Sequence, residues 1–239
     1  MPQLRALLLT LWLLLCFLFG FLLSLTRWKN PIWNRFVLNA FGFGARYIGG
    51  VRIHPIDKHR SDSVGPCVYV ANHQSGLDMA VYGTVFPKLG VMVGKRELVY
   101  VPILGWFFVG GGNVMINRGN RRSAVGSLAE AVDRIKRKGH SICIFPEGTR
   151  NKSLEGFLPF KKGAFYLAID AQCPIIPVVA TSYKNVGTME SGAMRGGDIY
   201  VRMLEPIYTN GLTHDSVDEL SQRVRARMEE AYRELNAKL

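Results

Sequence analysis

The chain opens on an unbroken apolar run. Ala6 to Leu25 carries no charge and is rich in Leu and Phe, and about 20 such residues as a helix reach across a bilayer core. Arg5 precedes the run, and Arg27, Lys29 and Arg35 follow it. A second stretch, Pro31 to Tyr47, places Ile32, Trp33, Phe36, Val37, Phe41 and Phe43 at helical spacing, interrupted by Arg35 and Arg46. That spacing predicts a helix with one greasy face, which either covers a sheet or lies in a membrane interface beside the first helix. From Val51 onward, short apolar runs alternate with longer amphipathic ones. The runs at 51–54, 68–71, 91–93, 113–116, 142–145, 175–179 and 199–204 read as strands. The segments 77–85, 121–137, 163–171 and 217–236 read as helices, and Gly139 is expected to terminate the second. In the last of them Val217, Leu220, Val224, Met228, Ala231 and Leu235 share one face, opposite Arg and Glu. Such alternation predicts an α/β fold with a central, mostly parallel sheet flanked by helices. Two parts are expected: a membrane-associated helical segment over residues 1–50 and an α/β domain over 51–239.

Composition sharpens this picture. Hydrophobic residues make up 48% of the 239 positions, and the excess sits at the N-terminus. The first run is too long for the apolar core of a signal peptide, and no small-residue cleavage site follows it. The four cysteines, Cys16, Cys67, Cys143 and Cys173, show no CxxC pairing, which suits a reducing compartment rather than a disulfide framework. The formal net charge of +12 suits a polyanionic partner. There is no RNA-binding signature, zinc-ligand spacing or helix-turn-helix pattern, so nucleic acid is not expected. A greasy anchor beside a basic domain fits an anionic membrane surface. The excess of basic residues after the anchor predicts a domain on the cytoplasmic side of the membrane.

The chemistry concentrates in Asn72-His73-Gln74-Ser75-Gly76-Leu77-Asp78, delivered by the strand-like run Cys67 to Ala71. Histidine is the side chain best suited to take a proton near neutral pH. A carboxylate on its other ring nitrogen fixes the tautomer and stabilises the imidazolium. On a regular helix, positions i and i+5 lie well apart around the axis. The pair therefore meets only if His73 sits in the loop and Asp78 in the first turn of the following helix. A metal site is not expected, because no third and fourth ligand stand at workable spacing. There is no GxSxG elbow and no cysteine in a catalytic context.

Three further segments accompany this one in order. Val114-Met115-Ile116-Asn117-Arg118 is a strand-like run ending in arginine; Phe145-Pro146-Glu147-Gly148-Thr149-Arg150 follows a strand-like run; and Cys173 to Val179 is an apolar run bracketed by prolines. Together with Asn72–Asp78, these resemble the four ordered blocks of the glycerophospholipid acyltransferase family. Lys95-Arg96-Glu97-Leu98, with Pro102 and Gly105 behind it, resembles the family's lysine-bearing segment. The likeness runs from about Val51 to about Leu204 and is strongest to members that acylate 1-acyl-sn-glycerol 3-phosphate. Asn117 departs from the aspartate that many members carry before the arginine.

The resemblance implies transfer of a fatty acyl group from a thioester to the sn-2 hydroxyl of lysophosphatidic acid, giving phosphatidic acid. It implies membrane lipids as partners, acyl-coenzyme A or acyl carrier protein as co-substrate, and neither cofactor nor metal. His73 and Asp78 are then the catalytic pair, with His73 the base and Asp78 its orienting carboxylate. Lys95, Arg118 and Arg150 are the candidate ligands of the acceptor's phosphate. Each is expected near the carboxyl end of a parallel strand, the edge where open α/β sheets bind ligands. Glu147 is expected to orient Arg150 or bind an acceptor hydroxyl, Gly148 to allow close backbone approach, and Thr149 to donate a hydrogen bond. Two other readings stand beside this one: an acyltransferase with a different lysolipid acceptor, such as a lyso-aminolipid, and a membrane lipid-binding protein without activity. The location implied is the inner, cytoplasmic membrane.

Overall fold

The structure is a computed structural model that describes residues 1–61, 64–117, 119 and 121–237. Two helices come first, α1 (Pro2–Ser24) and α2 (Ile32–Tyr47). Strand β1 (Val51–Ile56) and strand β2 (Val68–Ala71) follow, then helix α3 (Asp78–Gly83) and strand β3 (Gly90–Lys95). Helix α4 (Leu104–Gly110), strand β4 (Val114–Ile116), helix α5 (Arg121–Lys138) and strand β5 (Ser141–Ile144) come next. Helix α6 (Gly163–Ala171) and strand β6 (Ile175–Ala180) lead into a small hairpin of β7 (Gly187–Thr188) and β8 (Ala193–Met194). Strand β9 (Gly197–Met203) and helix α7 (Val217–Asn236) complete the fold.

Among the described residues the strands form a seven-stranded sheet in the order β1-β9-β6-β2-β5-β3-β4. Strands β6, β2, β5, β3 and β4 all run parallel; β1 and β9 are parallel to each other, and β9 meets β6 antiparallel. The expected mostly parallel sheet is therefore present, with one antiparallel seam. The carboxyl ends of five strands share one edge, and the loops that follow β2, β3 and β5 all leave from it.

Alternation along the strands divides the interior into two layers, because successive side chains point to opposite faces. Tyr69 and Ala71 of β2 join a core built with α1, α2, α3 and α4. Val68 and Val70 join a second core built with α5, α6 and α7. The predicted face of α7 is the one buried: Val217, Leu220, Val224, Met228, Ala231 and Leu235. Gly139 follows the last residue of α5 at φ +66°, the left-handed conformation that ends a helix most readily at glycine. Helix α4 was not among the expected elements. Its sequence, Leu104-Gly105-Trp106-Phe107-Phe108-Val109-Gly110, is apolar on every side and offers no period to read.

The N-terminal helices are seated on the domain. One side of α1, with Ala6, Leu9, Cys16, Phe17, Gly20 and Ser24, is buried against it. Arg5 donates to the Arg195 carbonyl at 3.1 Å, and the Trp12 indole donates to the Ala40 carbonyl at 2.9 Å. The other side, with Leu4, Leu7, Leu11, Leu15, Phe19 and Leu22, is exposed. Helix α2 is held by a buried amide pair. The Asn34 side-chain amide donates to the Gly90 carbonyl at 2.9 Å, the Gly111 carbonyl at 3.2 Å and Asn113 Oδ1 at 2.9 Å. Asn113 returns a bond to Asn34 Oδ1 at 3.0 Å. Buried amides are costly without partners, so these two hold α2 in one register over β3 and α4.

Asn34→Leu removes the bonds to Asn113 and to two carbonyls, while Asn113 keeps only those to the Met92 amide and the Phe108 carbonyl. It is expected to lower stability by about 1–3 kcal/mol, read as a fall in the midpoint of denaturant unfolding of the full chain in detergent.

Candidate active site

The loop after β2 is shaped by one buried carboxylate. Asp78 is 1% exposed. Its Oδ2 accepts three hydrogen bonds, from the backbone amide of Gln74 at 2.7 Å, the amide of Ser75 at 3.0 Å and His73 Nδ1 at 2.6 Å. The five-residue spacing therefore works as expected: the Gln-Ser-Gly turn folds back so that the first residue of α3 reaches the histidine. With Nδ1–H donating to Asp78, the Nε2 lone pair of a neutral imidazole is available as a proton acceptor. Asp78 Oδ1 and the nearby buried hydroxyl of Tyr183 make no hydrogen bond among the described residues. The charge of Asp78 still reaches Tyr183, whose phenol is pushed well above its ordinary value, by burial first and by Asp78 next.

His73 is clamped from the loop after β5. Its backbone amide donates to Glu147 Oε1 at 2.8 Å, and its carbonyl accepts from the Asn151 amide at 2.7 Å. Its ring stacks on Phe145, with centroids 4.0 Å apart and planes within 7°. The second oxygen of Glu147 accepts from the Leu158 amide at 2.8 Å. Glu147 is 3% exposed; burial holds its carboxyl above its ordinary value, although the Leu158 and His73 amides lower it in part. The structure thus gives both Glu147 oxygens to backbone amides. Gly148 follows at φ +72°, and a Cβ there would stand 2.9 Å from the Lys161 side chain. The left-handed turn into Thr149 and Arg150 therefore favours glycine.

Asn72 fastens the other side of the loop. Its amide donates to the Ala180 carbonyl at 3.1 Å, and its Oδ1 accepts from the Ala180 amide at 2.9 Å and from the Tyr82 hydroxyl at 2.7 Å. The ends of β2 and β6 are thereby joined beyond their last ladder bonds.

His73 opens onto a cavity of about 450 Å³. Its floor is apolar, with Met79, Val85, Met92, Leu104 and Phe108, and its rim includes Lys95, Gly148, Thr149, Arg150 and Lys152. Lys95 ends β3 as expected and pairs with Glu97 at 3.5 Å. Arg150 pairs with Glu190 at 2.8 Å. Arg118 lies outside the described residues. Ser75 and Glu190 were not singled out from the sequence. Ser75 belongs to the turn itself, and Glu190 arrives on the β7–β8 hairpin, which carries no periodic signal. Cys143 also lines the cavity, and burial pushes its thiol well up. Burial thus disfavours the thiolate, the form in which a cysteine attacks. Among the described residues no three His, Cys, Asp or Glu side chains are grouped to hold a metal ion.

Comparisons with known proteins identify the family. The family described as Acyltransferase matches residues 51–181, which hold both the His73 loop and the Arg150 loop. The 1-acyl-sn-glycerol-3-phosphate acyltransferase of Escherichia coli is 39% identical over 176 residues, 74% of this chain and 71% of its own length. The enzyme of the same name from Saccharomyces cerevisiae is 37% identical over 171 residues, 71% of this chain; the match spans 56% of the yeast protein. In fold, the crystal structure of the 1-acyl-sn-glycerophosphate acyltransferase from Thermotoga maritima superposes with a TM-score of 0.74 at 24% identity, covering 98% of each chain. On its sequence match, and with a histidine–aspartate pair at the mouth of an apolar cavity, the chain belongs to the acyltransferase family.

Proposed function

We propose that this protein transfers a fatty acyl group from an acyl thioester to the sn-2 hydroxyl of 1-acyl-sn-glycerol 3-phosphate, giving phosphatidic acid. The carrying observation is the His73–Asp78 pair, with Nδ1 engaged at 2.6 Å, facing an apolar cavity with cations on its rim. His73 Nε2 takes the proton of the acceptor hydroxyl as its oxygen attacks the thioester carbonyl. The C–O bond forms, the tetrahedral intermediate collapses, the C–S bond breaks, and the imidazolium returns its proton to the leaving thiolate. A thioester is already activated, so no covalent enzyme intermediate is needed, which agrees with the shifted Cys143 thiol. The apolar cavity accommodates acyl chain, and Arg150 and Lys95 supply the charge that a phosphate monoester seeks. Both coenzyme A and acyl carrier protein present the thioester this chemistry uses.

The N-terminal segment, residues 1–50, acts as the membrane anchor and the rest as the catalytic domain. Helix α1 is long and apolar enough to cross a membrane, yet one side of it is seated on the domain from Ala6 to Ser24. That seating favours a helix lying in one leaflet with its exposed Leu and Phe face in the acyl region. Trp28, Phe36, Phe43 and Trp106 extend the exposed apolar surface, and Arg27, Lys29 and Arg35 suit anionic headgroups on the cytoplasmic side.

Three outcomes test this reading. His73→Ala is expected to lower kcat by about 10²- to 10⁴-fold with the fold intact. Asp78→Asn can place its carbonyl oxygen where Oδ2 stands and its amide where the unpartnered Oδ1 stands. The turn then survives while the charge is lost, so kcat falls and the acceptor KM holds; a rise in KM alone would mean that Asp78 contacts substrate. Arg150→Ala should weaken lysophosphatidic acid by roughly ten- to a hundredfold in kcat/KM and leave monoacylglycerol, a poor acceptor without phosphate, nearly unchanged. Equal losses on the two acceptors would place Arg150 in structure or donor binding.

The anchor has its own test. Deleting α1 would strip cover from the core, so substitution is the cleaner change. Leu11→Gln, Leu15→Gln and Phe19→Gln together should release folded, active protein from vesicles in a flotation assay. Full retention would mean that another surface holds the protein to the membrane.

A further inference from the structure

Three donors beside His73 converge on a single anion, and that anion belongs to the chain itself. The Ser75 hydroxyl donates to Glu190 Oε2 at 2.5 Å, the Gly76 amide to Glu190 Oε1 at 2.7 Å, and Arg150 Nη1 reaches Glu190 Oε1 at 2.8 Å. A hydroxyl, a backbone amide and a guanidinium are the donor set that recognises phosphate oxygens. Ser75, Gly76 and Arg150 line the same cavity as His73. Ser75 and Gly76 are also held in place without Glu190, by the Ser75 amide bond to Asp78 and by the Ser75 carbonyl accepting from the Asp78 amide. Two of the three donors therefore keep their places whether or not the glutamate is present.

Glu190, by contrast, is lightly held. It stands at the turn of the β7–β8 hairpin, whose strands are two residues each and pair outside the main sheet. Its side chain is 41% exposed and that of Arg150 48%, and ion pairs at such exposure are weak. Burial pushes the Glu190 carboxyl up, but the Ser75 hydroxyl, the Gly76 amide and, to a smaller degree, Arg150 bring it below its ordinary value. It is therefore ionised at neutral pH, a monoanion with two acceptor oxygens. A phosphate monoester brings nearly two charges and three oxygens to the same donors.

We propose that Glu190 is a built-in competitor for the acceptor's phosphate: it fills the Ser75–Gly76–Arg150 cradle in the free protein and yields it to a phosphate monoester. The inference rests on the reading that the acceptor carries phosphate at Arg150. Its consequence is specificity. A neutral acceptor leaves the Arg150–Glu190 pair closed and gains nothing from the cradle, whereas a dianion opens it and takes three donors.

The test uses the full-length protein in detergent micelles. Glu190→Gln and Glu190→Ala are compared with the wild type for the KM of lysophosphatidic acid and for inhibition by sn-glycerol 3-phosphate. Removing the competing charge is expected to lower both KM and the inhibition constant by about three- to tenfold, in both variants. The effect should vanish when Arg150→Ala is added, because the contested donor is gone. Unchanged or raised constants in both variants would overturn the proposal, and raised ones would make Glu190 a support that positions Arg150. If instead the wild type discriminates poorly between lysophosphatidic acid and monoacylglycerol, and Arg150→Ala affects both alike, the phosphate reading itself fails and this inference with it. Intact discrimination with no Glu190 effect sinks this inference alone.

Discussion

A carboxylate taken out of water must be solvated by the chain, and Asp78 shows how much structure that demand can organise. At 1% exposure it retains its charge at tolerable cost only if donors surround it. Oδ2 collects three, two from the backbone of the turn and one from His73. The same bonds fold the Gln-Ser-Gly turn, start α3 and set the tautomer of the histidine. Loop conformation and the orientation of the His73 ring therefore share one cause. The short path from His73 to Asp78 is a product of the turn, since a helix or strand through these residues would separate them.

Glu147 plays the complementary part from the next strand. Its two oxygens accept from amides on separate segments, His73 and Leu158, so it ties the loop after β2 to the chain that leads into α6. With the Asn151 amide on the His73 carbonyl, the backbone of the histidine is held on both sides. Parallel neighbours make this possible. Strands β2 and β5 are adjacent and point the same way, so their following loops rise side by side at one edge. Asn72 does the same toward β6. The groups that fasten the loop, Asn72, Glu147 and Asn151, are as buried as the core around them.

Much of this was legible in the chain. The strand-like runs and the amphipathic helices are long enough to show their periods, and the predicted face of α7 is the buried one. The spacing of His73 and Asp78 stated the condition for their meeting, a loop running into the first turn of a helix, and the chain meets it. What escaped has physical reasons. Helix α4 is apolar all round and has no period. The Asn34–Asn113 pair joins positions 79 residues apart, a contact that no local pattern encodes. Glu190 reaches the site on a hairpin of two-residue strands, too short to register as alternation. The seat of α1 on the domain was hidden for a different reason. Leu and Phe occupy both its buried and its exposed sides, so composition signals a membrane but not which side faces it.

Asp78 is expected to hold His73 as the Nδ1–H tautomer, leaving Nε2 to accept a proton. Nitrogen-15 NMR of histidine-labelled protein in micelles, at a pH where His73 is neutral, reads this directly. His73 is expected to show a protonated Nδ1 and a bare Nε2, with that preference weakened in Asp78→Asn. A neutral His73 carrying its proton on Nε2 in the folded wild type would contradict it.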